Sequence, residues 1–349
     1  MSCIFSPFPV EKAVAKDIEG VNHDEAWEAL YNSAMHDIRG GKHRKKYGYM
    51  PRDLQAESIA HDMEFAIADA AAATVAEKLG KEEAEYLATR SHSWTNYYDN
   101  ETGFIRGKSS KGEWREDFNP YNASRIANEY CEGNAWQYLW LVPQDLDKLV
   151  ECFGGVANTI ERLDGLFTAD TKMEGEDVTP DISGLIGQYV HGNEPSHHII
   201  YFYTMLGQPW KGADRLYEVM DTMYSTEVDG LSGNEDVGQM SAWYIMTTFG
   251  FYPVEPAAGK YVLGVPMVDH AEIDVQGGVF EVERKGFDEK RRYVQRVELN
   301  GKPLERNYIT HDEVVAGGRL SVCTGDTDES KLVGWVIIEV GCSYSEGMA

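Results

Sequence analysis

Cysteine is scarce in this sequence: five residues among 349, at 3, 131, 152, 323 and 342, with no C-x-x-C spacing. An odd, scattered set of that kind excludes a disulfide framework or a cysteine zinc site as the organising device. Basic residues are the second shortage, with 32 Lys and Arg against 58 Asp and Glu and a net charge of −26. Phosphate-binding surfaces need clustered Lys and Arg, so nucleic acid and anionic membranes are excluded as partners, while neutral ligands and divalent cations suit the balance. No apolar run reaches about 18 residues, so no membrane-spanning helix is expected. The N-terminal stretch MSCIFSPFPVEKAVAKD lacks the basic region and the long apolar core of an export signal, and the sequence assigns no compartment. G-x-x-x-x-G-K-[ST], G-x-S-x-G and H-E-x-x-H are missing too, which removes the phosphate-loop, nucleophile-elbow and zinc-protease readings.

What is present is enough apolar material, 42% of residues, for a substantial core, in a length that suits about two domains. From about 11 to 250 the pattern is helical. From Glu57 to Leu79, Ile59, Met63, Ala66, Ile67 and Ala70 recur at helical spacing and Gly80 supplies the stop. Lys81 to Tyr98 is expected as the antiparallel return of that helix. After a long loop over 99–122, helices are expected near 129–141, 143–152, 156–168, 196–206, 209–226 and 238–249. Beyond Tyr252-Pro253 the period becomes two. Ile273 and Val275 lead through Gly277-Gly278 to Phe280 and Val282, and Val297 and Leu299 lead to Asn300-Gly301, both hairpin signals. The expected class is α+β multidomain: a helical domain of α/α-toroid type over 1–254, then a small antiparallel β domain over 255–349 with an irregular tail. In that tail the apolar run Val333 to Val340 is either a final strand or poorly determined.

Three acidic loops stand on this scaffold: EGNAWQY at 132–138, GNEPSHH at 192–198, and DGLSGNEDVGQMSAWY at 229–244. Each places a carboxylate beside Gly and Asn ahead of an aromatic helical run. Glycoside hydrolysis needs such a set, a protonated acid at the leaving oxygen and a carboxylate that activates water or attacks carbon. Glu132 is the acid candidate, with Trp136, Tyr138 and Trp140 expected to limit its exposure and raise its pKa. Asp236 is the base candidate. For both, the plain alternative is an acidic residue favoured at a helix start. Glu194 and Glu235, each next to an Asn, offer the hard oxygens that calcium takes, although 229, 231 and 233 read Asp, Leu, Gly and fail the EF-hand spacing. His197 and His198 are candidates for bonding sugar hydroxyls or are simply packed. Trp136, Gln137 and Asn234 complete the expected substrate-binding set.

The motifs EGNAWQYLWLVPQD, GNEPSHHIIYFYTMLGQPWK, DGLSGNEDVGQMSAWYIMTTFGFYPV and YVQRVELNGKPLERNYITH, in that order, resemble the glycoside hydrolase family 92 α-mannosidases. The similarity runs from about residue 45 to about 325. The resemblance implies a calcium-dependent, inverting exo-α-mannosidase with an (α/α)6 domain, acting on terminal mannose of α-mannoside glycans. It makes Glu132 the general acid and Asp236 the general base, and places Asn193, Glu194 and Glu235 around the calcium at the mannose 2- and 3-hydroxyls.

Several positions depart from the family pattern. VPQD stands where many relatives read VPHD, so Gln144 removes an imidazole. Asn234 stands where some members carry Asp, and TMLGQPWKGA differs around its Gly and Lys. Family members also carry an N-terminal β-sandwich and about twelve helices, against roughly nine expected here, so the toroid is expected to be incomplete on its N-terminal side. A separate chain supplying the β-sandwich is then an expected partner. The competing readings are an inactive or partner-requiring fragment that binds mannosides or calcium, and another α/α-toroid enzyme such as a retaining glucosidase or a polysaccharide lyase.

Overall fold

The computed structural model describes residues 8–327 apart from 127, 256 and 289. Helices α1 (Phe8–Ala15), α2 (His23–Ala34) and α3 (Gly41–Tyr47) lead to the long α4 (Ser58–Lys78), and α5 (Ala84–Arg90) folds back along it. Alanines let α1, α2 and α5 approach α4 closely, and Ile59, Met63, Ala66, Val75 and Ala76 are all buried. Two carboxylates on α4 are sealed in the same interior. Asp62 accepts from Arg44 Nε at 2.6 Å, Ser93 Oγ at 2.8 Å and Tyr97 Oη at 2.7 Å. Asp69 pairs with Arg44 and, at 3.0 Å, with Arg90. Deleting one partner would leave a buried charge uncompensated, a cost of about 3–5 kcal/mol. The network fixes the rotation of α4 about its axis, so that the i, i+4, i+7 stripe Ala60, Glu64, Ile67 faces an internal cavity.

The return helix is shorter than expected. α5 ends at Arg90, whose carbonyl accepts from Arg44 Nη2 at 2.8 Å, and a 3-10 turn over Ser93–Tyr97 follows. The hairpin β1 (Tyr98–Asp99) and β2 (Phe104–Ile105) opens the long loop. The helices expected over 129–141 and 196–206 shrink to α6 (Ala135–Tyr138) and α9 (Phe202–Met205), the latter preceded by 3-10 turns at Glu194–Ser196 and Ile199–Tyr201. Leu139 to Val142 and Ile199 to Thr204 are buried on every side, so their apolar runs carry no period that would fix helix length. Helices α7 (Leu146–Cys152), α8 (Val156–Thr168), α10 (Pro209–Thr222) and α11 (Gln239–Thr248) form close to the expected places, and the hairpin β3 (Leu185–Ile186) and β4 (Tyr189–Val190) lies between α8 and α9.

Beyond α11, β5 (Phe251–Tyr252), β6 (Lys260–Leu263) and β11 (Tyr308–Thr310) form a small sheet in the order β11-β6-β5. The larger sheet contains β7 (His270–Val275), β8 (Gly278–Lys285), β9 (Tyr293–Leu299), β10 (Lys302–Pro303) and β12 (Gly318–Gly325), in the order β10-β9-β12-β8-β7. Both expected hairpins form. Val275 pairs with Gly278, and Leu299 pairs with Lys302 across Asn300-Gly301, whose φ values of 53° and 75° suit a two-residue hairpin turn. The expectation of a purely antiparallel domain is corrected: β12 inserts between β8 and β9, antiparallel to β9 and therefore parallel to β8. α12 (His311–Val315) leads into that strand.

One apolar cluster contains Trp94, Trp140, Phe202 and Trp243 together with Phe251, Phe280, Val282 and Val322. The helical part and the larger sheet thus share a core across the expected boundary at 254/255. Residues 328–349, including the run Val333 to Val340, lie outside the described residues. Among the described residues no helix is long and apolar enough to cross a membrane.

Candidate active site

A cavity of about 420 Å³ opens between α4, the loops ahead of α6 and α11, the loop after β4, and the Tyr252–Val254 segment. Glu132 reaches it from the loop, two residues before the Asn134 cap of α6, rather than from the helix itself. Its φ is 51°, a left-handed conformation that costs a non-glycine residue about 1–3 kcal/mol and gathers at functional sites. A capping box holds the next turn: Asn134 Oδ1 accepts from Trp136 N at 2.9 Å and Gln137 Oε1 accepts from Asn134 N at 2.7 Å. The far end of Gln137 donates to the Gln188 carbonyl at 2.7 Å, and Asn134 Nδ2 donates to Gln188 Oε1 at 2.9 Å. The acid loop is thereby clamped to the β3–β4 hairpin, which runs directly into GNEPSHH.

Asn193 makes the next link. Its Nδ2 donates to the Glu132 carbonyl at 3.3 Å and to the Glu132 carboxylate at 3.5 Å, and its Oδ1 accepts from Glu194 N at 3.2 Å. Glu194 faces the cavity, where burial first, then the charges of Asp236 and Glu132, raise its pKa above the usual carboxylate range. His197 and His198 also line the wall, each donating Nε2–H to a carbonyl: His191 at 2.9 Å and Trp140 at 2.7 Å. A carbonyl only accepts, so the proton sits on Nε2 and Nδ1 is left as an acceptor. Burial lowers both pKa values to about 4, which keeps both rings neutral near neutral pH.

Asp236 reaches the same cavity from a 3-10 turn at the start of α11. Val237, the next residue, has a φ of 55°, so strained backbone marks both carboxylate loops. α11 is anchored by Trp243, whose Nε1 donates to the His197 carbonyl at 3.0 Å and whose ring packs against His191 and Tyr224. The loop ahead of it abuts GNEPSHH at Gly192 and Gly233, where a Cβ on Gly192 would stand 3.0 Å from the Gly233 Cα.

Glu132, Asn193, Glu194, His197, His198 and Asp236 therefore line one cavity. Five other expected residues do not. Trp136 turns away on α6 to a second cavity, edge-on to Phe104, and Trp140 is locked in the core against Phe153. Of the three aromatics expected to enclose Glu132, only Tyr138 reaches the wall. Gln137 is buried and bonded at both ends. Asn234 is exposed and donates to Asp181 at 2.9 Å. Glu235, just ahead of α11, accepts from Ser241 N in that helix's first turn at 3.2 Å, a favoured use of a carboxylate near a helix N-terminus.

Two wall residues escaped the sequence reading. Glu64 projects from the middle of α4, where burial first, then the charges of Glu194 and Glu132, push its pKa up to about 7. The available signal was a Glu on the otherwise apolar stripe from Ala60 to Ile67. Lys12 comes from α1, and burial lowers its pKa; nothing in its sequence context marked it.

Among the described residues, no three His, Cys, Asp or Glu side chains converge as a preformed metal cage. The wall nevertheless offers hard oxygen donors at Glu194 and Asn193, beside like charges that a cation would relieve. That donor chemistry fits calcium, which also accepts backbone carbonyls and waters. Two carboxylates from separate loops in one cavity are a pairing that can serve to protonate a leaving group and activate water.

A family model, the glycosyl hydrolase family 92 catalytic domain, matches residues 7–326. An uncharacterised secreted glycosidase of Arthroderma benhamiae is 27% identical over 344 residues, covering 91% of this chain and 42% of the relative. A family 92 α-mannosidase of Bacteroides thetaiotaomicron, solved with mannoimidazole, superposes with a TM-score of 0.86 at 34% identity, over 92% of this chain and 43% of that one. A family 92 inverting mannosidase of the same organism gives 0.82 at 32% identity, over 95% and 47%. The chain thus spans less than half the length of these relatives.

Proposed function

The chain belongs to glycosyl hydrolase family 92, and from that premise we propose that it removes terminal mannose from α-mannosides, of N-glycan or mannan type, by calcium-dependent inverting hydrolysis. The observation that carries this reading is the convergence of Glu132 and Asp236, from separate motifs, on one cavity. Protonated Glu132 gives its proton to the glycosidic oxygen as the C1–O bond breaks. Asp236 takes a proton from a water whose oxygen bonds to C1 from the opposite face, and solvent returns the two carboxyls to their starting states. Inversion of this kind leaves about 6.5–9.5 Å between the carboxyls for that water.

Asn193 holds the acid loop through the Glu132 carbonyl, and the neutral His197 and His198 present Nδ1 as an acceptor for sugar hydroxyls. Asn193 and Glu194 would hold the calcium, which when bound supplies positive charge at the hydroxyls beside it. The descriptions of the Bacteroides relatives support mannose as the sugar and inversion as the outcome. In this reading the helices belong to an (α/α)6 toroid. The rest of the pocket's enclosure, including a β-sandwich, comes from the portion of the relatives that this chain does not span, in the same polypeptide or in a partner chain.

The test is mannose release from several α-linked mannobioses, with calcium and with chelator. Release that needs calcium and disappears in Asp236→Asn is expected. No release from any of them under either condition, with the enclosing portion supplied, would contradict the proposal.

A further inference from the structure

Glu64 has no part in the two-carboxylate chemistry, yet it stands in the same cavity wall as Glu132, Glu194 and Asp236. Its neighbours along that face of α4 are Ala60 and Ile67. Among the described residues, no ion pair or hydrogen bond to its carboxyl is formed, and its electrostatic neighbours are the like-charged Glu194 and Glu132, with Tyr138 beside them. The other inward carboxylates of this helix, Asp62 and Asp69, are each held by Arg44. A carboxyl set in a partly buried wall without a partner is costly, and a Leu or Met at this position would bury more favourably. Departures of this kind from local consistency mark places where a ligand supplies the missing partner.

We propose that Glu64 is a sugar-contacting, specificity-determining residue, whose carboxyl hydrogen-bonds one ring hydroxyl of the glycoside seated between Glu132 and Glu194. The proposal rests on the hydrolase reading for the class of ligand and adds a third carboxyl to the recognition of that ligand. A carboxyl oxygen matches a hydroxyl closely and loses its partner when the hydroxyl is absent, which makes discrimination by such groups steep. Beside Glu64 the wall offers Ala60 and Ile67, which carry no polar group, and Tyr138, whose hydroxyl is already committed to the Cys131 carbonyl at 2.8 Å.

The experiment compares wild type, Glu64→Gln and Glu64→Met in three measurements: thermal melting, calcium titration, and binding of methyl α-mannoside and its four monodeoxy analogues with calcium present. Melting temperatures at or above wild type are expected, because no protein partner is lost. Affinity for the parent mannoside should fall about 10- to 100-fold, in the range of a charged hydrogen bond. One monodeoxy analogue should bind wild type and Glu64→Met within about twofold of each other, since it already lacks the hydroxyl that Glu64 holds.

Equal losses on all four analogues would overturn the proposal, as would a lowered melting temperature, unchanged affinity, or a loss confined to calcium binding. A wild-type chain that binds no mannoside would overturn it as well. Binding without turnover would sink the hydrolytic reading alone and leave the Glu64 comparison decisive.

Discussion

Gly192 and Gly233 stand back to back: a Cβ on Gly192 would lie 3.0 Å from the Gly233 Cα, and one on Gly233 would overlap the Gly192 backbone. Each glycine opens a Gly-Asn-Glu triplet, so their contact sets the spacing between the Glu194 loop and the Asp236 loop. Gly233→Ala should push the loops apart and cost about 100-fold in kcat, the penalty expected of a displacement near 1 Å. Far-ultraviolet circular dichroism should stay that of the wild type. A variant with wild-type kcat would show that the contact does not position Asp236.

Glu132→Gln removes the proton donor while keeping the shape of the side chain. Turnover of a disaccharide should fall about 10²- to 10⁴-fold. An aryl mannoside with a good leaving group needs less protonation and should lose much less. Equal losses on the two substrates would assign Glu132 to binding or folding instead.

Glu11 in α1 makes the stability depend on pH. It is fully buried and neither carboxyl oxygen has a hydrogen-bond partner. Burial first, and then the charge of Asp69, push its pKa from 4.5 to about 8. The folded state keeps a proton that the unfolded chain releases above about pH 4.5, so this contribution is complete below that pH and is lost as pH rises toward 8. The slope is about 1.36 kcal/mol per pH unit. Melting temperatures from pH 5 to 8 should therefore decline, and Glu11→Gln should flatten the decline; an unchanged slope would contradict this assignment.

Calcium should raise the melting temperature, because a ligand that binds only the folded state stabilises it by mass action. Glu194→Ala should abolish the shift. Calorimetric titration that detects no calcium binding in either protein would remove the metal from the account.

Where a physical signal was local, the sequence revealed it. The boundaries of α4 follow from its period and its glycine stop, and the Asn300-Gly301 turn follows from two residues that tolerate positive φ. The parallel pairing of β12 with β8 was hidden because it depends on a strand from far along the chain entering between two others. The shortness of α6 and α9 was hidden because residues buried on all sides leave no polar face to count from. At the site, the Asn and Gly punctuation marked the loops of Glu132, Glu194 and Asp236. Trp136 was misplaced because nearness in sequence does not say which way a side chain turns, and Glu64 was missed because it sits in a helix read only for its apolar period.

The central claim, that Glu132 acts as acid and Asp236 as base in a single displacement, is tested most directly by the anomer released first. Proton nuclear magnetic resonance of an α-mannoside digest, recorded before mutarotation, should show β-mannose appearing first, with α-mannose following only by equilibration. α-Mannose as the first-formed product would require a nucleophile and a covalent intermediate and would contradict the account.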